Sequence, residues 1–467
     1  MTLKKWLALF LGSAVLAALL FGGLNVAVDP FGVFGDRFIG WWSYNMTQNP
    51  RTAKIGWLDV HHGEYDSYII GSSKTSSFPT ELLNRYTGGR FYNLFSYGGD
   101  LYDAEMTVNY VLENYDAKRI IVNVGIPELM AFNVEDDPIK GNLHAKVDGS
   151  SLMAFYGKYF FAHPQYAVDK LRALPDFTDW VNPNQVFVPA TGTYDKRARD
   201  IEPIGDLGEY LALYPAFEQT QKGHDSLPAV RDCIASILRM KMVCETAGVE
   251  FTLVISPMYQ HDLARYDTDD LYFFFLKGGL EGFSWDFSGY HSVSGEPRYF
   301  YDIAHHRNAV GAMMLARIFG DDSIYVPEDF GVFIEDGERR MADFKAQSAD
   351  YHAGMLDFPP NDVRLVVLAS DEPEAVASAL REAGLAVVEY QAVMAYGAMG
   401  KEPLPEQAVL VLVADSVVVE GAVEGDGVNV IVRALPQSLL GLEVYTVPTG
   451  QTPAEVAEYV KGLNGYD

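Results

Sequence analysis

Short β-branched and aromatic runs alternate with helical patterns through the first two thirds of this chain, and that alternation leaves few architectures open. Tyr68-Ile69-Ile70-Gly71 is the first run and residues 90–94 the second, followed by a helical pattern over about 102–114. Residues 118–124 form the third run; a helical pattern over about 227–246 leads into the fourth, at 249–256. A fifth strand is expected near 282–287, and a helix over about 309–319 closes the unit. Strands separated by helices build a mainly parallel sheet covered on both faces.

The N-terminus adds a second constraint. Lys4 and Lys5 precede an apolar run over 6–28, interrupted among polar side chains only by Ser13 and Asn25 and ended by Asp29-Pro30. At about 1.5 Å per residue the run is roughly 34 Å long, enough to cross a bilayer. Asn25-Val26-Ala27-Val28-Asp29 is a poor cleavage site, so residues 1–29 read as an uncleaved anchor. A cleaved signal and a buried core helix are the other readings. With Lys4 and Lys5 kept cytoplasmic, everything after Asp29 is placed outside, as a single-pass protein of the inner (cytoplasmic) membrane with its bulk periplasmic or extracellular.

Residues 30–358 form the body. Within it, about 131–225 break the alternation and are rich in aromatics and Pro, with a helix expected near 151–174. Such a stretch is either a cap over a site or a packing insertion. Composition changes at Phe358-Pro359-Pro360, and all ten histidines lie before that point. Residues 361–467 read as a second, small α/β domain. Strands are expected at 363–369, 385–390, 408–414, 428–434 and 443–447, and helices at 372–384 and 453–463, with Thr452 as N-cap of the last.

Charge and cysteine content exclude some functions. The net charge of −28 repels nucleic-acid phosphates and anionic headgroups, so no nucleic-acid partner is expected. The two cysteines, Cys233 and Cys244, lie on one helical pattern about 16 Å apart, too far to bridge, and read as buried apolar residues. No metal and no cofactor are expected. Asp302 with His305 and His306 lacks a further carboxylate or histidine cluster at ligand spacing.

Three segments carry candidate chemistry. Gly71-Ser72-Ser73-Lys74 ends the first strand, where a hydroxyl meets the crevice of a parallel sheet and turn N–H groups can hold an oxyanion. A plain turn or cap is its structural alternative. Tyr301-Asp302-Ile303-Ala304-His305-His306 precedes the last helix of the body. Asp and His three apart meet in a turn, where the carboxylate orients one ring nitrogen and leaves the other as a base. A structural pair capping the 309–319 helix is the alternative. Asn93-Leu94-Phe95-Ser96-Tyr97-Gly98-Gly99 follows the second strand, and its glycines let a backbone N–H approach a substrate closely.

In this order, at these strand ends, the segments resemble the SGNH (GDSL-like) hydrolase superfamily over roughly residues 60–320. The likeness extends to its membrane-anchored branch in cell-envelope acylation, such as the lipoteichoic-acid D-alanylation and alginate acetylation proteins. It implies a flavodoxin-like three-layer parallel sheet, with Ser73 as nucleophile and Asp302 and His305 as the Asp-x-x-His pair. Gly98, with the Ser73 N–H, becomes the oxyanion donor. Ser72 remains an alternative nucleophile, and His306 lacks the three-residue spacing. The third block departs from the pattern: Gly125-Ile126-Pro127-Glu128 puts proline where the superfamily has an asparagine donor. Lys74 is either a plain surface lysine or a group favouring an anionic substrate, and His61-His62 reads as solvated.

The function implied is a serine esterase or O-acyltransferase acting on acylated cell-surface polysaccharide. The partners implied are an acylated glycan or surface polymer, a membrane-bound O-acyltransferase, and the membrane itself. The rival readings are a catalytically inactive SGNH-like scaffold that binds a glycan or that acyltransferase, and a secreted carbohydrate esterase without a membrane partner.

Overall fold

A computed structural model describes residues 2–35, 49–134, 137, 139–172, 188–194, 211–219, 227–266, 275–321, 324 and 326–356. Beyond these it describes 365–370, 373–383, 386–391, 409–413, 420–422, 431–433, 443–446 and 452–462. The boundary expected at Phe358-Pro359-Pro360 lies outside the described residues, as do parts of the 131–225 stretch.

The principal elements follow in chain order. They are α1 (Leu3–Val28), α2 (Pro50–His61), β1 (Ser67–Gly71), α3 (Thr80–Thr87), β2 (Phe91–Phe95), α4 (Leu101–Asn114) and β3 (Arg119–Val124). Next come α5 (Leu152–Phe160), α6 (Pro164–Arg172), α7 (Val230–Thr246), β4 (Glu250–Ile255) and β5 (Ser284–Asp286). Then follow β6 (Phe300–Asp302), β7 (His305–His306), α8 (Asn308–Phe319), β8 (Val332–Phe333) and α9 (Gly337–His352). The C-terminal elements are β9 (Leu365–Ser370), α10 (Pro373–Glu382), β10 (Ala386–Gln391), β11 (Val409–Val413), β12 (Glu420–Ala422), β13 (Ile431–Arg433), β14 (Glu443–Thr446) and α11 (Pro453–Gly462).

The fold is mixed α/β. Its main sheet has six strands in the order β2-β1-β3-β4-β5-β8. β1 pairs in parallel with β2 and with β3, and β8 runs antiparallel to β5. β1 and β2 are buried along their whole length, which is why both read as near-continuous apolar runs rather than as alternating ones. A second parallel sheet, β10-β9-β11-β14, lies in the C-terminal region.

The chain divides into two compact units. The first comprises residues 1–76, 83–195 and 227–254. α4 and α7 pack against each other there, joined by the Ser236 hydroxyl to the Leu101 carbonyl (3.1 Å) and by the two-pronged Arg239–Glu105 pair (2.6 and 2.7 Å). Cys233 and Cys244 are both free and buried on α7, as expected for apolar roles.

α1 is long and apolar enough to cross a membrane. Its first five turns are mostly exposed, whereas Gly22, Asn25 and Val28 are buried. The expected 151–174 helix is two helices, α5 and α6, because Pro164 cannot continue the first and opens the second. Both pack against α1, and Phe31 joins Phe155, Tyr159 and Ala162 in one apolar cluster. The described part of the 131–225 insertion thus includes a seat for the end of α1.

The second unit comprises residues 77–82, 196–226 and 255–467. A buried ion pair from Arg340 of α9 to Asp286 (2.7 Å) holds α9 at the end of β5. In the C-terminal region Thr452 caps α11 as expected. Its N–H and hydroxyl donate to Glu455, whose own N–H faces the Thr452 hydroxyl at 3.4 Å.

Candidate active site

The chain leaves β1 for β2 on one side and returns to β3 on the other, so the carboxyl ends of β1 and β3 flank the reversal where open α/β sheets bind ligands. Gly71 ends β1. A Cβ there would lie 2.3 Å from the Asn123 carbonyl oxygen and 2.4 Å from Thr75 Oγ1, so only glycine admits so tight an exit. The chain then turns into a single 3₁₀ helix, Ser73–Ser77. Ser72 is buried and Ser73 half-buried.

The turn is held from beneath by side chains that sequence reasoning did not single out. Asn93 Nδ2 donates to the Thr75 carbonyl (2.8 Å), and Thr75 Oγ1 donates to Asn123 Oδ1 (3.1 Å). Asn123 Nδ2 in turn reaches the Val254 carbonyl on β4 (3.0 Å). The signal for both asparagines was present. Each is an amide inside a largely apolar strand run, and a buried amide must find partners.

The segment after β2 begins beside the same strand end. The Ser96 N–H donates to the Gly71 carbonyl (2.9 Å), and its hydroxyl lies 3.3 Å from that oxygen. Gly98 has φ +60°, a conformation that favours glycine. At Gly99 a Cβ would strike Ser96 Oγ at 2.0 Å. Asp100 then caps α4 by accepting from the Asp103 N–H (3.0 Å). Lys54 of α2 is fully buried nearby. Its ammonium donates to the Phe95 carbonyl (2.9 Å) over the Phe95 ring, and burial drives its pKa well down. No sequence pattern marked it.

The third block is an ion-pair site. Lys74 Nζ lies 2.9 Å from Glu128 Oε1, with both side chains almost fully buried. Burial alone would raise the Glu128 pKa. The Lys74 charge and hydrogen bonds from Ser72 and Lys74 outweigh it and hold the carboxyl below its ordinary range. Lys74 is therefore not a surface lysine. The pair closes over Gly125, where a Cβ would meet Glu128 Oε2 at 2.6 Å and Lys74 Cε at 2.8 Å and push both side chains aside. Pro127 supplies no side-chain donor at the expected asparagine position, and the charged group this block contributes is Glu128, paired with Lys74 of the β1 turn.

In the second unit, β6 and β7 form a tight antiparallel pair in which Asp302 faces His305. Both Asp302 carboxylate oxygens lie close to His305 Nδ1, at 2.8 and 3.0 Å. Oδ1 also accepts the backbone N–H groups of Ala304 and His305, at 3.0 and 2.9 Å. The carboxylate caps its own turn and not α8, whose N-cap Arg307 makes no side-chain cap bond. Facing a carboxylate, Nδ1 is the donor, and in the neutral ring Nε2 then carries the lone pair. His305 is partly exposed, while His306 is buried edge-on to Phe78. Arg307 is buried over the Tyr301 ring, 4.5 Å from its centroid. The Ser77 hydroxyl donates to the His306 carbonyl (2.8 Å). Among the described residues, no three His, Cys, Asp or Glu side chains gather as metal ligands.

The parts present thus suit acyl chemistry: a hydroxyl at a strand end beside a glycine-rich turn, and a histidine oriented by a carboxylate. Comparison with protein-family models, with curated proteins and with solved structures finds no match to this chain.

Proposed function

We propose that this chain is an exported, membrane-anchored serine esterase or O-acyltransferase of SGNH-like type, acting on acylated cell-surface polysaccharide. The observation that carries the reading is the two-oxygen grip of Asp302 on His305 Nδ1, which orients an imidazole for general-base work. The β2-β1-β3-β4-β5 order, which is that of flavodoxin-like sheets, supports it. So does the placement of Ser73 at the first carboxyl end.

In this reading His305 Nε2 takes the Ser73 hydroxyl proton as Ser73 Oγ attacks an ester carbonyl. The N–H groups of Ser73 and Gly98 hold the oxyanion as the tetrahedral intermediate forms. His305 returns the proton to the leaving alkoxide, and the acyl-serine passes its acyl group to water or to a sugar hydroxyl. A membrane-bound O-acyltransferase is the expected donor partner in the transfer case. α1 holds the chain in the cytoplasmic membrane with Lys4 and Lys5 on the cytoplasmic side.

A second reading, a scaffold that binds glycan without chemistry, draws on Pro127 and on the Glu128–Lys74 pair that occupies the third block. A fluorophosphonate probe on the detergent-solubilised full chain separates the two. Labelling that disappears in Ser73→Ala and in His305→Ala supports the enzyme, and an unlabelled wild type supports the scaffold. Release of free acid from an acylated glycan, against its appearance on a second glycan, then distinguishes esterase from transferase.

A further inference from the structure

The end of α1 is built into the first unit by specific contacts. A Cβ at Gly22 would lie 2.0 Å from ring atoms of Phe160, so the glycine is a notch that the phenylalanine fills. One turn on, Asn25 Nδ2 donates to the carbonyls of Phe160 (3.0 Å) and Ala162 (2.7 Å). Lys170 Nζ on α6 donates to the carbonyl of Asp29, the residue that caps α1 (2.8 Å). The exposed part of α1, residues 3–21, is roughly 28 Å long at about 1.5 Å per residue, close to the roughly 30 Å of a bilayer's hydrocarbon core. The docked turns therefore begin where the hydrocarbon ends.

Beside that boundary α5 exposes large apolar side chains. Phe161 is 67% exposed and Met153 87% exposed, with Leu152 at 45%. The Phe161 ring stands edge-on to Phe160, centroids 4.9 Å apart, so one ring separates it from the notch at Gly22. Met153 is seven residues before Phe160 and lies on the same helical stripe, the one that meets α1. An exposed apolar edge continuous with a span is covered by lipid when the span is in place.

We infer that α5 and Phe161 form a second, monotopic membrane contact, with Phe161 and Met153 dipping into the outer leaflet beside α1. The inference rests on α1 spanning the membrane. The contact is made by the apolar side chains of Leu152, Met153 and Phe161.

The test uses the full chain reconstituted in phosphatidylcholine vesicles, with an environment-sensitive NBD fluorophore on single introduced cysteines. Cys233 and Cys244 are buried, with thiols pushed up to about 12, and stay unlabelled. Four variants are compared: Leu9→Cys within the span, Phe161→Cys, Met153→Cys, and Val60→Cys, which is 74% exposed at the far end of α2. At positions 161 and 153 we expect blue-shifted emission and quenching by shallow 5-doxyl lipid. Quenching by aqueous iodide should be about threefold or more weaker there than at 60, as for an interfacial helix. Position 9 should be quenched by deep 12-doxyl lipid. If 9 is shielded while 161 and 153 behave like 60, the second contact is overturned and the span stands. If 9 is itself open to iodide, the span fails and the inference falls with it.

Discussion

The hydroxyl of Ser77 donates to the carbonyl of His306 at 2.8 Å, between positions 229 apart in the chain. Ser77 is the last residue of the turn that Ser73 opens, and His306 follows the histidine that Asp302 orients. Close by, α8 leaves no room for a side chain at Gly311, where a Cβ would sit 1.9 Å from the Ser77 carbonyl oxygen. The end of the serine turn is thus fastened to the segment that follows the Asp-x-x-His pair.

Ser77→Ala removes that donor, costing about 0.5–1.5 kcal/mol, the net value of a buried hydrogen bond. Urea unfolding of the detergent-solubilised chain measures it. Fluorophosphonate labelling of Ser73 is expected to slow but persist, since no reacting group is lost. Unchanged stability would show that the bond is not made in solution.

Asp302→Asn keeps the volume of the side chain but removes the charge that fixes the His305 tautomer. Labelling of Ser73 is expected to fall by roughly 10²–10⁴, the scale seen when a triad carboxylate is neutralised. Circular dichroism should be unchanged. Wild-type labelling rates in this variant would remove Asp302 from the mechanism.

Breaking the Lys74–Glu128 pair strands a buried charge. Lys74→Met is expected to cost about 3–5 kcal/mol, and the double variant Lys74→Met/Glu128→Met to recover much of it. The pH dependence follows from the lowered Glu128 pKa. A carboxyl held below its unfolded value adds stability above that value and loses it as pH falls through the folded pKa. Its contribution is therefore full at pH 7, begins to fall near pH 4.5, the ordinary value, and is gone only below the lower folded pKa. Glu128→Gln should flatten the unfolding midpoint across that window.

Two histidines should set a second acid limb. Burial pushes both His144 and His291 down to about 4. Each Nδ1 accepts a backbone N–H, from Lys146 at 3.1 Å and from Ser294 at 3.0 Å, so protonation there breaks a helix cap. The unfolded chain takes the proton first, near 6.5. Stability is thus full above about pH 6.5 and declines as pH falls toward 4. Unfolding midpoints at pH 7.5, 6 and 5 check this, and His144→Gln should shorten the decline.

Much of the fold was legible because buried parallel strands announce themselves as apolar runs. The runs at 68–71, 90–94, 118–124 and 249–256 each correspond to a strand, displaced by a residue or two. α2 and α9 were not read, since α2 buries Arg51, Thr52 and Lys54 where an apolar stripe was sought. The Asp302–His305 contact was legible, because three-residue spacing across a turn leaves the pair little choice. The Lys74–Glu128 pair was not, because its partners lie 54 positions apart and only the parallel pairing of β1 with β3 brings their turns together. The break between α5 and α6 was missed although Pro164 marks it.

The notch at Gly22 and the Asn25 clasp bear on how far the protein can reach. A domain on a loose tether samples a hemisphere above its membrane and meets substrates at many heights. A domain bolted to the last turns of its own stalk works at one elevation and one tilt. On the proposed reading, in which α1 spans a membrane, whatever the Ser73 turn serves is met at that fixed height, which favours polymers as they emerge at the bilayer surface over those farther out.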